Sequence, residues 1–142
     1  MKKLAAIYER KGALFVLASH RTEAGFWVDD EHVVSLTQPT DDELGRAIEQ
    51  ALARSKNGVP TPPPTVRIDK PLLKAAGVGS WATFMKLSRH VSVSIDEGEW
   101  QATPYRNLGK GGFEPEAGFV IDNTDLPQLG RLVMDLLNRA SD

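Results

Sequence analysis

The chain contains no cysteine. Disulfide scaffolds, thiolate zinc sites and cysteine nucleophiles are excluded together, and the absence accords with a reducing compartment such as the cytoplasm. Long apolar runs are also missing. Met1, Lys2 and Lys3 followed by Leu4, Ala5, Ala6 and Ile7 imitate the start of a signal peptide, but Tyr8 to Gly12 break the run too early. No stretch approaches membrane-spanning length, so neither export by that route nor membrane embedding is expected. Histidine is scarce as well. His20, His32 and His90 form no HxH or HExxH pattern, so no metal site is expected, and no cofactor. No serine sits in a GxSxG elbow. The stretch Pro104, Tyr105, Arg106, Asn107, Leu108, Gly109, Lys110, Gly111, Gly112, Phe113 looks like a phosphate-gripping loop. Its lysine, however, lies between glycines and no Ser or Thr follows, so it reads as a glycine-permitted turn with Arg106 and Lys110 exposed.

What is present is charge in blocks. From Asp29 to Glu49 seven acids face the single base Arg46, whereas from Arg54 to Arg89 seven bases face the single acid Asp69. From Asp96 to Asp142 nine acids again outnumber Arg106, Lys110, Arg131 and Arg139. Such blocks ordinarily form solvated faces. If the acidic blocks meet in space, their field repels nucleic acid and attracts a basic protein, so direct nucleic-acid binding is not expected.

The pattern predicts an α+β fold: one domain over residues 1–142, a mainly antiparallel twisted sheet with two longer amphipathic helices and one or two short helices packed on it. Leu4 to Tyr8, Leu14 to Ser19, Gly25 to Val28 and His32 to Leu36 read as four short strands, with Asp29, Asp30 and Glu31 turning the chain between the last two. Thr40 and Glu43 form a capping box before Leu44, Ile48, Ala51 and Leu52 at helical spacing, with Gly58 as the stop. Val59, Pro60, Thr61, Pro62, Pro63 and Pro64 make a stiff crossover within the domain. Leu72 to Ala76 form a short helix ended by Gly77, and Ser80 caps another holding Trp81, Phe84, Met85 and Leu87. Val91, Val93 and Ile95 alternate into a hairpin turn at Asp96 to Glu99, with Trp100, Ala102 and Pro104 on the return strand. Phe119 to Ile121 add a strand, and Asp125 caps a final helix carrying Leu129, Leu132, Val133, Leu136 and Leu137. Leu44-Gly45-Arg46 and Leu129-Gly130-Arg131 open the two long helices identically, at a fixed offset of 85 residues. Two equivalent helices are implied, with small glycines allowing close approach.

Candidate functional residues follow from charge and aromatics. Asp29, Asp30 and Glu31 at one turn, and Glu97 and Glu99 beside Trp100 at another, are expected to be exposed at hairpin ends, with Trp100 as an interface anchor and Arg106 as a further contact. The alternative for Trp100 is that it merely covers a sheet edge. A second reading stays open, a small RNA- or nucleotide-acting enzyme using His20 or His90 with Arg106 and Lys110. A third is an adaptor protein in another bacterial system.

Several runs carry a resemblance: Ala24-Gly25-Phe26-Trp27, Gly58-Val59-Pro60, Ala75 through Phe84, and Pro104 through Leu108 with Gly111 through Pro115. In these the chain resembles the immunity proteins of bacterial contact-dependent growth inhibition, the CdiI group, from about Ala18 onward. The resemblance implies a small cytoplasmic, non-enzymatic protein that binds and blocks the toxic C-terminal domain of a CdiA effector. Many such toxins are nucleases with basic clefts, which an acidic inhibitor complements. The matched motifs assign no binding residue, and they leave the oligomeric state open.

Overall fold

The computed structural model describes residues 1–64, 69–109, 112–121 and 125–139. In chain order its elements are β1 (Lys3–Arg10), β2 (Ala13–Thr22), β3 (Trp27–Thr37), α1 (Asp41–Arg54), β4 (Asn57–Val59), α2 (Lys70–Ala76), α3 (Trp81–Met85), β5 (Ser88–Asp96), β6 (Glu99–Asn107), β7 (Phe113–Pro115), β8 (Phe119–Ile121) and α4 (Leu126–Arg139). The strands build one eight-stranded sheet in the order β3-β2-β1-β5-β6-β7, with β8 also on β6 and β4 running parallel to the end of β2. This is the expected α+β architecture. Its two tight hairpins turn at Lys11-Gly12 and Glu97-Gly98, where all four residues have positive φ. That conformation matches the twist of the flanking strands, and glycine takes the second position without penalty.

Alternation along the strands sorts the side chains onto two faces. Ala5, Ile7, Val16, Val91, Val93 and Ala102 meet Leu44, Ile48, Leu52, Leu129, Val133 and Leu137 of α1 and α4 on the first face. On the second, Ala6, Tyr8, Phe15 and Leu17 meet Leu72 and Leu73 of α2 and Phe84 of α3. The stacked rings of Trp81 and Phe84, 5.3 Å apart, confirm the shared buried side of the Ser80-capped helix.

Adding 85 to the numbering carries α1 onto α4 residue for residue, β1 onto β5 and β2 onto β6 with shifts of about a residue at the ends, and β3 onto the β7–β8 stretch. The halves meet at the antiparallel β1–β5 pair, so the sheet has an approximate two-fold relation. The helices obey it closely. A Cβ on Gly45 would collide with the carbonyl of Leu126, and one on Gly130 with the carbonyl of Asp41, the first residues of α4 and α1. Glycine at both places lets each helix start cross its partner backbone to backbone.

Three expectations need correction. Asp29 to Glu31 do not turn the chain; they lie within strand β3, where Asp29 pairs with Ser19 of β2 and Asp30 and Glu31 fall in the register shift, or bulge, between the Ser19–Asp29 and Leu17–Val33 pairs. Helix α1 ends at Ser55 rather than Gly58, and the Ser55 hydroxyl accepts from the Leu4 N–H and donates to the Ser19 carbonyl. Leu87 lies beyond α3 with φ +66° and is 71% exposed. The capping box of Thr40 and Glu43 and the Asp125 cap on Gln128 are both present.

Candidate partner-binding surface

The acids singled out from sequence lie at one end of the sheet, where β3 begins, β2 ends and the β5–β6 hairpin turns. They do not form one patch. β2 and β1 separate β3 from the first strand of that hairpin, a span of roughly 14 Å at the usual strand spacing. Arg106 lies at the far end of β6, about 23 Å from Glu99 along the strand. It is held in a 2.7 Å ion pair with Glu114, whose hydrogen bond and charge raise the Arg106 pKa further.

The β3 acids are built into the fold. Asp29 accepts a hydrogen bond from the Ser19 hydroxyl at 3.1 Å, and burial pushes its carboxyl up to about 6. Asp30 points to the opposite face. There its Oδ1 lies 3.4 Å from His20 Nε2 and its Oδ2 3.5 Å from Arg54 Nε. The Lys56 N–H donates to His20 Nδ1, so the His20 proton sits on Nε2, toward Asp30. Partial burial raises the Asp30 pKa, but the His20 hydrogen bond and the N–H groups of Glu31 and His32 outweigh it and hold the carboxyl low. Only Glu31 of this trio is exposed.

The β5–β6 hairpin behaves differently. Asp96, Glu97 and Glu99 are all exposed, and with Lys2, Ser94 and Gln101 they line a polar groove of about 320 Å³ on the sheet face that carries α2 and α3. Among the described residues none of these three acids forms an ion pair. Trp100, between them in sequence, faces the other way and packs on the α1–α4 core beside Ile95 and Ile121. It lies between two paired strands, half-buried over the end of that core, and is not a fully exposed anchor. The sequence signal for the groove is modest: alternation puts Ser94, Asp96, Glu99 and Gln101 on one face, but only the pairing register brings them opposite one another.

The histidine reading does not assemble. His90 is not at a strand end exposed to solvent; it is buried in β5, its Nδ1–H donates to the Ile7 carbonyl, and desolvation pulls its pKa down to about 4. It is stacked between Tyr8 and Tyr105, 4.1 and 4.2 Å away. Arg106 projects from the opposite face of the next strand, His20 belongs to the other end of the sheet, and Lys110 lies outside the described residues. Among the described residues no three His, Asp or Glu side chains are placed to hold a metal ion. An apolar cleft of about 910 Å³, lined by Trp81, Met85, Leu87 and Asn107, opens beside α3 at the end away from the acidic groove. No helix among the described residues is long and apolar enough to cross a membrane.

No family model matches the chain, and no curated protein matches it by sequence. Solved structures do. A protein of unknown function, NMB0488 from Neisseria meningitidis, superposes with a TM-score of 0.77 at 17% identity, over 99% of this chain and 96% of that one. A chain of the CdiA-CT/CdiI toxin and immunity complex from Yersinia pseudotuberculosis superposes with a TM-score of 0.71 at 13% identity, over 96% of this chain and 97% of the other. At these identities the likeness is one of fold.

Proposed function

We propose that this chain is an immunity protein that binds the C-terminal toxin domain of a cognate CdiA effector in the cytoplasm and blocks it by stoichiometric association, without catalysis. The fold shared with a toxin and immunity complex supports a toxin partner. The observation that carries the reading further is the β5–β6 hairpin, whose Asp96, Glu97 and Glu99 are exposed and, among the described residues, form no ion pair. Exposed, unpaired acids add nothing to the fold. They supply a field that accelerates encounter with a basic surface such as the cleft of a nuclease. Glu31 is exposed on β3, apart from this hairpin, while Asp29, Asp30 and Trp100 serve the fold.

The test is co-production with the C-terminal domain of the polypeptide encoded immediately upstream. The expected result is a one-to-one complex that survives gel filtration and relief of growth arrest. Growth arrest that persists, with no complex recovered, overturns the proposal. Nuclease or nucleotide hydrolysis by the purified chain alone would establish the enzymatic alternative.

A further inference from the structure

The polar groove on the hairpin holds more than a cluster of acids. Ser94 is only 7% exposed, yet it lines the groove, and its hydroxyl has no hydrogen-bond partner among the described residues. A hydroxyl without a protein partner on the lining of a groove is left to solvent in the free protein, and a donor or acceptor brought by a ligand can take the place of that water. Gln101 stands directly across from Ser94, and Asp96 directly across from Glu99. Like charges directly opposite on neighbouring strands repel. The corresponding pair flanking the turn of the first hairpin is Arg10 and Ala13, which carries no such repulsion. Gly118 completes the arrangement, because any side chain there would collide with the Gln101 amide, so the bare backbone leaves that amide its place. Lys2 is the one base on the lining and pairs with none of the acids.

We infer that this groove is the seat of a single arginine side chain of the protein partner. The inference rests on the toxin-binding reading and names the contact it uses. The acceptors are spread along two strands: the Ser94 hydroxyl, the Gln101 carbonyl and the carboxylates of Asp96 and Glu99. A guanidinium presents five N–H donors in a planar fork and can satisfy such a spread, whereas an ammonium is a compact point charge. A metal ion is disfavoured because among the described residues no three ligating side chains converge. The volume of about 320 Å³ lies at the small end of the range for ligand pockets, fitting one side chain better than a larger molecule.

The experiment titrates the nitrogen-15-labelled full chain at low salt with N-acetyl-arginine amide, its lysine and citrulline counterparts, and spermidine, following backbone amide resonances. Arginine is expected to shift Ser94, Asp96, Glu97, Glu99 and Gln101, with citrulline inert and lysine at least about threefold weaker. Ser94→Ala and Glu99→Gln should each weaken the arginine response about threefold or more while other resonances stay in place. No arginine shift, an equal response to citrulline, lysine or spermidine, or an unaffected Ser94→Ala variant overturns the inference. Protection from the toxin without an arginine response removes the groove and keeps the toxin reading. An arginine response without protection or complex formation keeps the groove and removes the toxin reading.

Discussion

At the scale of single residues, a buried histidine and a half-buried aspartate pull stability in opposite directions over the same pH range. Burial lifts the Asp29 carboxyl from 3.8 to about 6. The folded chain therefore binds this proton more tightly than the unfolded chain, so the contribution favours folding at low pH and is lost as pH rises through about 6. His90 is depressed from 6.5 to about 4. Its contribution is intact above the unfolded value and is lost as pH falls toward the folded one. Asp29→Asn removes the first effect alone. Thermal melts should show the variant more stable than wild type by about 1–3 kcal/mol near pH 7.5, with the gain gone near pH 4. An unchanged melting temperature near neutral pH would mean that the Asp29 carboxyl is paired and costs the fold nothing. Ser55 offers a second test, since its buried hydroxyl serves both the Leu4 N–H and the Ser19 carbonyl. Ser55→Ala should cost about 1–3 kcal/mol in urea denaturation.

At the scale of elements, the α1–α4 crossing is the joint to probe. Replacing a helical glycine by alanine ordinarily gains up to about 1 kcal/mol of helix propensity. At Gly45 and Gly130 the added carbon would strike backbone of the facing helix, which cannot rotate away. Packing decides the sign: Gly45→Ala and Gly130→Ala should each destabilise by about 2–4 kcal/mol, read by chemical denaturation. Wild-type stability in either variant would show the helices to be farther apart. On the opposite face of the sheet, Phe84 is fully buried against Tyr8, Phe15 and Trp81. Phe84→Ala should cost about 3–5 kcal/mol, and a variant melting within a degree or two of wild type would contradict this core.

At the scale of the whole molecule, charge placement predicts kinetics. Among the described residues Glu97 and Glu99 form no ion pair, whereas Arg106 and Asp30 are tied in local pairs. Reversing Glu97 and Glu99 to Lys should slow association with a basic toxin domain by roughly tenfold at low salt, with little change in stability. Raising the ionic strength should shrink that difference, because screening acts on long-range attraction. Trp100→Ala should instead lower stability, since the ring packs on the core. Stopped-flow association at two salt concentrations separates these effects. Unchanged rates in the charge-reversed chain would move the interface to another surface.

Much of the fold was legible because its signals are local. The capping box at Thr40, the Ser80 cap, the glycine after α2 and the alternation from Val91 to Ile95 are each set by a few neighbouring residues acting on their own backbone. The repeat was visible as two Leu-Gly-Arg triplets and a few matched positions, Ile48 with Val133, Leu52 with Leu137 and Arg54 with Arg139, and it proved to mark both glycines of the helix crossing. What escaped the sequence was settled by partners distant along the chain. The chain runs on as strand through Asp29 to Glu31 because β2 pairs on both sides of a bulge there, α1 ends where Ser55 finds Leu4 and Ser19, and His90 is buried because Tyr8 and Tyr105 close over it. The groove is of the same kind. Alternation says that Ser94 and Gln101 avoid the helical core, but the β5–β6 register alone sets them face to face and leaves two carboxylates opposed. Charge along a chain records composition, whereas which charges remain unpaired depends on the through-space neighbours that folding supplies.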